Sequence, residues 1–443
     1  MVADAPASPD ISPEAFAAIL TSAGAPGVLA LAVSGGRDSM ALARLCAAYS
    51  ASTGAAIHAF TVDHGLREGA AAEAARAKAW CAALGIPHQT LRWTGTKPAT
   101  GLQAAARAAR YKLLIAAAHE CGAGALLTAH TFDDQAETMF MRLARGAGAR
   151  GLAAMRADTL IAAGAGVPLR LLRPLLGFSR TEITSYLASV GQDFVEDPSN
   201  LDDRFERVRV RALLAALAEQ SLLTADALAA SAQKLAAADM VARRYESELF
   251  VKLGGCLYGW GGVSLDRWSD DFGAGGLAAR LIHAVGGGDY APDPELALDA
   301  VARAESGAAT LAGTLVKRWR DRLWFLREPS ALLGRAGVAP LPPAPLDGPL
   351  LWDRRFILDP GGETGLAVAP LGADAAALIG PAAARFQGPP EALSTLPGLW
   401  RQGVLIAAPA LPFIGRMELS GRPSCRALTI ERFDGEILRF ASN

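Results

Sequence analysis

Residues 34–39 combine small, hydroxyl and carboxylate side chains in a pattern suited to binding phosphate. The stretch reads Ser34-Gly35-Gly36-Arg37-Asp38-Ser39. Two adjacent glycines let the backbone approach an anion closely, and the two serines add hydroxyl donors. Asp38 does not hold phosphate directly at neutral pH, but its carboxylate can carry Mg²⁺ between phosphate oxygens. A phosphate cradle is therefore predicted, and a helix cap without ligand is the alternative.

A second group of polar residues occupies positions 130–138. It reads His-Thr-Phe-Asp-Asp-Gln-Ala-Glu-Thr and is predicted to begin a helix at His130. On such a helix Asp134 shares a face with Glu137 and with His130, because residues three or four apart are neighbours. Carboxylates in a first turn also suit the helix dipole, so ordinary helix-terminal charge is the alternative to a catalytic pair.

The elements that position both groups alternate between apolar runs and helical patterns. Val28 to Val33 reads as a buried strand running into the Ser34 loop, and further strands are predicted at 57–63, 86–93, 125–128 and 169–176. Helices are predicted between them, which gives an α/β fold with a doubly wound parallel sheet. Ligands of such sheets bind beyond the carboxyl ends of the strands, where the Ser34 loop and the His130 segment both fall.

A chain of 443 residues is long for one domain, and its composition changes along its length. Residues 1–215 are predicted to form the α/β domain and 216–330 a mainly helical domain, with helices near 225–250, 275–286 and 293–304. Residues 331–349 are rich in proline and are predicted to be a linker. Residues 350–443 alternate short apolar runs with glycine and proline, which favours a small β-rich domain.

The charge and cysteine content narrow the class of protein. The formal net charge is -1, so any nucleic-acid surface must be a local patch. Residues 316–324, with Trp319 and Arg320, have the composition of an RNA surface, although alternation along a half-buried strand gives the same pattern. The five cysteines form no C-x-x-C pair and no zinc pattern, which favours a reducing compartment. With no signal peptide and no apolar run of transmembrane length, we expect a cytoplasmic protein without membrane association.

Residues 34–39 resemble the SGGxDS pyrophosphate loop of the N-type ATP pyrophosphatases, and the motifs in the first half of the chain together resemble the tRNA(Ile)-lysidine synthetase family. The resemblance covers about residues 28–213 and rests on five motifs that occur in order. They are Ser34–Ser39, Val62-Asp63-His64-Gly65-Leu66-Arg67, Ala106-Arg107-Ala108-Ala109-Arg110-Tyr111, His130–Thr138 with Arg142-Leu143-Ala144-Arg145-Gly146, and Asp197-Pro198-Ser199-Asn200 with the arginines that follow.

The resemblance implies ATP-dependent coupling of L-lysine to C2 of the wobble cytidine of an isoleucine tRNA with the CAU anticodon, with ATP and Mg²⁺ required. Residues 216–330 would then bind tRNA or substrate. The implied pyrophosphate and metal residues are Ser34, Gly35, Gly36, Asp38 and Ser39, with Asp38 as the metal ligand. The implied lysine-associated acids are Asp134 and Glu137, and the implied positive groups near the reacting centre are Arg110 and Arg207.

Several points stay open at the level of sequence. Which of Arg207, Arg209 and Arg211 faces the site is undecided, and so are ligand contacts for His64 and Arg67. The division of labour between the two acids, the tRNA identity elements, the role of the last domain and the oligomeric state, a homodimer included, are also open. The alternative functions are a tRNA thiolase, an NAD- or GMP-synthesising enzyme, and a tRNA-binding protein without activity.

Overall fold

The computed structural model describes residues 11–65, 69–95, 97–98, 100–164, 166–196, 204, 206–337, 339–411, 421–434 and 439–440. These residues divide into two compact units. The first unit contains the described residues up to 163 and residues 168–240, and the second contains residues 164–167 and 241–440. Among the described residues, no helix has the combined length and apolar character needed to cross a membrane.

The first unit alternates strands and helices. Its helices are α1 Pro13–Ser22, α2 Arg37–Thr53, α3 Ala70–Ala83, α4 Leu102–Glu120, α5 Phe132–Leu143, α6 Ala149–Leu152, α7 Arg180–Ser189, α8 Glu206–Glu219 and the first part of α9 Ala225–Lys252. Its strands are β1 Val28–Ala32, β2 Ala56–Asp63, β3 His88–Arg92, β4 Ala125–Leu127, β5 Asp158–Ala162 and β6 Leu169–Leu172.

The strands of the first unit lie in the order β5-β6-β4-β1-β2-β3. All neighbouring pairs are parallel except β5 with β6, which is antiparallel. The predicted α/β class with a doubly wound parallel sheet is confirmed, and β5 is an additional, antiparallel strand that the sequence did not predict. The chain changes direction across the sheet between β1 and β4, so the carboxyl ends of these two strands form the expected ligand crevice.

Strand β1 is buried on both faces, as a central parallel strand must be. Leu29 and Leu31 pack in one core with Leu42 and Leu45 of α2, whereas Ala30 belongs to the core on the opposite face. These apolar contacts fix the strand whose carboxyl end leads into the Ser34 loop.

The second unit contains helices and three small sheets. Its helices are the last part of α9, α10 Ala274–Gly286, α11 Pro294–Glu305, α12 Pro329–Leu333, α13 Ala375–Ile379, α14 Pro390–Leu393 and α15 Thr429–Asp434, with a 3-10 helix at Gly380–Arg385. Its strands are β7 Cys256–Leu257, β8 Val263–Leu265, β9 Ala308–Leu311, β10 Thr314–Trp319, β11 Arg322–Arg327, β12 Ala344–Pro345, β13 Leu350–Trp352, β14 Phe356–Asp359, β15 Ala367–Pro370, β16 Pro397–Arg401, β17 Val404–Ala407, β18 Ser424–Ala427 and β19 Arg439–Phe440.

The sheets of the second unit are ordered β7-β8-β11-β10-β9, β12-β15-β16-β17 and β13-β14-β18. The helices predicted near 225–250, 275–286 and 293–304 are present as α9, α10 and α11. The first of these sheets was not predicted, because its strands are short and partly polar. The last two supply the β-rich C-terminal region that was expected, and the proline-rich stretch before them contains β12 and the buried Leu346.

Candidate active site

The loop at the carboxyl end of β1 turns directly into helix α2. Gly36 has an extended backbone and is the N-cap, so the helix begins at Arg37, within the 34–39 motif. Asp38 and Ser39 therefore lie in the first turn, where unpaired N–H groups and the positive end of the helix dipole favour anions. Gly35 has a φ of +82°, a conformation that side chains other than hydrogen rarely allow.

Hydrogen bonds between the two serines hold this loop in shape. The Ser39 hydroxyl donates to the carbonyl of Gly36 at 2.9 Å and accepts from the backbone N–H of Ser34 at 3.2 Å. The hydroxyl oxygens of Ser34 and Ser39 are 3.2 Å apart. Ser39 is buried and stabilises the conformation of the loop, whereas Ser34 is exposed to solvent.

A backbone contact ties the same loop to the segment that follows α7. The N–H of Val195 donates to the carbonyl of Gly35 at 2.8 Å, and Gly36 and Val195 form an isolated parallel bridge. A Cβ on Gly35 would lie 3.5 Å from Val195 Cγ2. This is an ordinary van der Waals distance, so the positive φ of Gly35, and not a lack of space, is what favours glycine there.

Asp38 provides one carboxylate to the loop. Its Oδ1 accepts a hydrogen bond from Arg37 Nε at 2.8 Å, and the side chain is 25% exposed. Among the described residues, no group of three or more His, Cys, Asp and Glu side chains is arranged to hold a metal ion. A Mg²⁺ ion with few protein ligands and several phosphate oxygens suits this donor set, because magnesium typically combines one or two carboxylates with substrate phosphates.

Helix α5 follows β4, the strand that pairs with β1, and it begins with a capping box. The Thr131 hydroxyl accepts from the N–H of Asp134, and Asp134 Oδ2 accepts from the N–H of Thr131 at 2.9 Å. The other oxygen, Asp134 Oδ1, accepts from Arg180 of α7 at 3.0 Å. Both oxygens of this buried carboxylate are thus used within the first unit.

Glu137 lies one turn further along α5 and is 2% exposed. Its Oε1 accepts from Arg180 at 2.8 Å and from Arg211 of α8 at 2.9 Å. Its Oε2 is buried and has no hydrogen-bond partner among the described residues. Because a buried carboxylate oxygen costs free energy when it is unpaired, Oε2 is the oxygen available to a cationic ligand.

Arg180 joins the two acids and was not identified from the sequence. Desolvation lowers the pKa of Arg180, but Glu137 and Asp134 more than offset this, so its pKa lies above the ordinary value. Ser179 and Glu182 have the spacing of a capping box in the sequence, and the structure contains that capping box. Nothing in that motif indicates that Arg180 has partners more than forty residues away. The contacts of Arg180 with Asp134 and Glu137 therefore could not be predicted from the local sequence.

Helix α8 carries the three arginines that the sequence left unresolved. Arg211 is the one that contacts Glu137, whereas Arg207 and Arg209 are exposed. Arg207 lies near His130, where its positive charge contributes to lowering the pKa of the imidazole. The structure therefore brings Arg211 to the buried acid and Arg207 to the edge of the crevice. The preceding motif residues, 197–203, lie outside the described residues.

His130 lies before helix α5 and not in it, because the helix begins at Phe132. The expectation that His130 shares a helical face with Asp134 is therefore wrong; Thr131 occupies the N-cap, and His130 Nδ1 is 3.0 Å from Thr128 Oγ1. Burial lowers the pKa of His130 well below its ordinary value, and four guanidinium groups add to this, those of Arg173, Arg107, Arg207 and Arg110. The crevice edge is thus strongly positive around a neutral imidazole.

His64 follows β2 and lies beside Arg110 of α4. The Nε of Arg110 is 3.4 Å from His64 Nε2, and the His64 ring meets Trp93 edge-on at 5.9 Å between ring centroids. Burial, and then the charge of Arg110, lower the pKa of His64 to about 4. Arg110 therefore has a neutral neighbour and keeps its positive charge for other partners. Arg67 lies outside the described residues.

The basic, aromatic segment 316–324 of the second unit forms strand β10 and the turn into β11. Arg318 pairs with Glu305, Trp324 is buried, and Arg320 stacks over Trp319 at 4.3 Å. The half-buried strand therefore explains most of the pattern, and Arg320 is its exposed cation.

The cysteines give no support to thiol chemistry. Burial raises the pKa of Cys46 beyond its ordinary range, that of Cys81 to about 11 and that of Cys425 to about 12. These thiols stay protonated at neutral pH, and a protonated thiol is neither a nucleophile nor a metal ligand.

Residues 13–217 match the model of a family described as a PP-loop domain. A tRNA(Ile)-lysidine synthase from Rhodopseudomonas palustris is 40% identical over 334 residues, covering 68% of this chain and 90% of that protein. One from Mesorhizobium japonicum is 39% identical over 394 residues, covering 83% of this chain and 80% of that protein. Among solved structures, the U34-tRNA thiolase NcsA from Methanococcus maripaludis has a TM-score of 0.40 and 16% identity, covering 51% of this chain and 78% of that chain. A likeness as distant as this last one carries no argument about function.

Proposed function

The chain belongs to the tRNA(Ile)-lysidine synthase family, and from this premise we propose that it joins L-lysine to C2 of the wobble cytidine of isoleucine tRNA with the CAU anticodon, using ATP. The observation that carries the proposal is the pairing of β1 with β4, because it puts the Ser34–Ser39 loop and the start of α5 at neighbouring strand ends. A phosphate cradle and a buried carboxylate pair then border one crevice.

The reaction has two steps. Cytidine O2 attacks the α-phosphate of ATP, pyrophosphate leaves, and C2 carries an adenylate. The ε-amine of lysine then attacks C2, and AMP leaves with the former O2. Activation is needed because the carbonyl-like oxygen of a pyrimidine is a poor leaving group by itself.

In the first step the chain's own contribution is to hold the departing pyrophosphate. The N–H groups in the first turn of α2, the exposed Ser34 hydroxyl and the backbone of Gly35 and Gly36 are the donors that a polyphosphate would meet. Asp38 would hold Mg²⁺, which neutralises phosphate charge when bound. Exposed Arg207 and Arg110 would add positive charge near the α-phosphate.

In the second step Glu137 has the uncommitted oxygen. We assign Oε2 of Glu137 to the lysine substrate, where it would accept a hydrogen bond from an ammonium group. The other oxygen, Oε1, already accepts hydrogen bonds from Arg180 and Arg211. Asp134 would act by holding Arg180 and the start of α5 in position. The two acids thus have different tasks in this proposal.

The test is mass analysis of unmodified isoleucine tRNA after incubation of the full chain with ATP, Mg²⁺ and L-lysine. The expected product gains one lysine residue at the wobble cytidine, and omission of lysine leaves adenylated tRNA. Replacement of oxygen by sulfur would support the thiolase alternative. Binding of the tRNA without any change in mass would support the alternative of an inactive binding protein.

A further inference from the structure

Arg37, at the variable position of the Ser34–Ser39 loop, is directed towards the carboxylate proposed to carry the metal. Its Nε lies 2.8 Å from Asp38 Oδ1, and the two side chains are 29% and 25% exposed. Successive residues of a helix do not face each other, so the Arg37 side chain must fold back to make this contact. The contact restricts rotamers that an arginine extended into solvent would keep, and it places the guanidinium at the mouth of the helix N-terminus.

The charges of this loop do not balance those of its proposed ligand. Arg37 is the one cationic side chain in residues 34–39, and Asp38 is the one anionic side chain. A polyphosphate chain carries more negative charge than a single Mg²⁺ ion neutralises. A guanidinium group can bind phosphate oxygens through two parallel hydrogen bonds, and it stays charged at any physiological pH.

Asp38 cannot serve Arg37 and the metal equally well. The guanidinium already occupies the Oδ1 atom of Asp38. Mg²⁺ binds through carboxylate and phosphate oxygens, and a guanidinium on the same carboxylate repels it. Arrival of a magnesium nucleotide would weaken the Arg37–Asp38 pair and supply phosphate oxygens beside it. The guanidinium would then need only rotations within its own side chain to reach them.

We propose that Arg37 is a phosphate-binding residue of this loop, held on Asp38 in the free enzyme and transferred to the polyphosphate when the magnesium nucleotide binds. The inference rests on the proposed use of ATP and adds to it a second cation for the leaving pyrophosphate. Two consequences follow: loss of Arg37 weakens nucleotide binding, and it also lowers the Mg²⁺ concentration that binding requires.

The experiment is calorimetric titration of the full chain with α,β-methylene-ATP, which cannot be split at the α–β bond, at a series of Mg²⁺ concentrations. For Arg37→Gln we expect the dissociation constant of the analogue at saturating Mg²⁺ to rise about five- to tenfold. This is the loss expected for one charged hydrogen bond, reduced because the side chain is partly exposed to solvent. We expect the half-saturating Mg²⁺ concentration to fall about two- to fivefold in the same variant, because Asp38 no longer shares its oxygen with a guanidinium. Arg37→Lys keeps the charge and should recover most of the affinity.

Arg303→Gln is the matched control, because it removes an arginine from an exposed Arg–Asp pair of the same 2.8 Å length in the second unit. It should leave both constants unchanged. Unaltered affinity in Arg37→Gln would overturn the proposal, and so would lost affinity with an unchanged Mg²⁺ requirement, because the exchange of partners would then be absent. Failure of the unaltered chain to bind the analogue at any Mg²⁺ concentration would overturn the proposed function along with this inference.

Discussion

Asp38 is the residue on which the proposed metal binding of the Ser34–Ser39 loop depends. Its carboxylate lies in the first turn of α2 and is partly exposed, so replacement by an amide removes charge without emptying a core. We expect Asp38→Asn to keep its unfolding temperature and to lose nearly all AMP formation, because a neutral amide binds Mg²⁺ poorly. Near-normal turnover at ordinary Mg²⁺ would remove Asp38 from the site.

Asp134 and Glu137 look equivalent in the sequence, but their surroundings differ. Glu137→Gln should impair lysine transfer by about 10- to 150-fold, the range for one charged hydrogen bond, while adenylation of tRNA persists. Asp134→Asn should also impair lysine transfer. Both variants should lower the unfolding temperature, because Asp134 pairs with Arg180 and caps α5, and the buried Glu137 pairs with Arg180 and Arg211.

The measurement for both acids is accumulation of adenylated tRNA without lysine, followed by a lysine chase. Thr184→Ala on α7 is a suitable control, because it removes an exposed hydroxyl whose hydrogen bond within the described part of the chain goes to the carbonyl of Arg180. If both acid variants lost adenylation while lysine affinity stayed normal, the carboxylates would belong to the ATP and metal site instead.

Local signals explain which elements of the site the sequence predicted correctly. The strand before the Ser34 loop and the capping box at Ser179 are each encoded within about six consecutive residues. Hydrophobic pattern and residue propensity are therefore sufficient to predict them. The sequence pattern misses the capping box of α5 because it predicts a helix that begins at His130, whereas the helix begins at Phe132 after the N-cap Thr131. A two-residue error at a helix start changes which side chains share a face.

Contacts between distant elements explain what the sequence could not predict. Arg180 reaches Asp134 and Glu137 from α7, and Arg211 reaches Glu137 from α8, at separations of 43 to 74 residues. Register along α8 decides which arginine arrives, and spacing alone leaves Arg207, Arg209 and Arg211 equivalent. The antiparallel strand β5 was likewise fixed by pairing with β6 and not by its own composition.

Helix α10 provides a pH-dependent element in the second unit. Burial, and then the Arg432 guanidinium, lower the pKa of His283 to about 3. The unfolded chain therefore binds a proton near pH 6.5 that the folded chain refuses, so this contribution to stability is complete above about pH 6.5 and is lost as the pH falls towards 3. One such group costs about 2 kcal/mol between pH 7.5 and pH 5.

Urea unfolding followed by tryptophan fluorescence measures this loss, since every tryptophan except Trp80 and Trp93 lies in the second unit. His283→Gln should unfold with a flatter dependence on pH between 7.5 and 5, whatever its stability at pH 7.5. The variant of an exposed histidine, His119→Gln, should keep the slope of the unaltered chain. An unchanged slope in His283→Gln would show that this imidazole becomes protonated in the folded state.

At the scale of the whole molecule, a deletion is a poor way to locate the tRNA surface. Removal of residues 331–443 would take Phe433 out of a core where its ring lies 4.8 Å from that of Phe250. It would also remove Asp353, which pairs with Arg327 of β11 at 2.8 Å. A loss of tRNA affinity in the truncated protein could result from damage to the second unit as well as from a missing tRNA contact. Measuring the tRNA affinity of the intact chain at several salt concentrations is therefore the better test.

The net charge of -1 makes the salt dependence of tRNA binding informative. A chain without overall positive charge must bind a polyanion through local arginines, and each phosphate contact releases counterions. About four such contacts would weaken binding about 100-fold between about 50 and 200 mM KCl, which filter binding of isoleucine tRNA can measure.

Exposed Arg207 and Arg320 lie in separate units, and each can be replaced by glutamine. Each replacement should make the dependence of the binding constant on salt concentration shallower by about one phosphate contact. Arg303→Gln should leave it unchanged. A slope near zero in the unaltered chain would mean that tRNA is bound chiefly through uncharged contacts, which contradicts a phosphate-based surface.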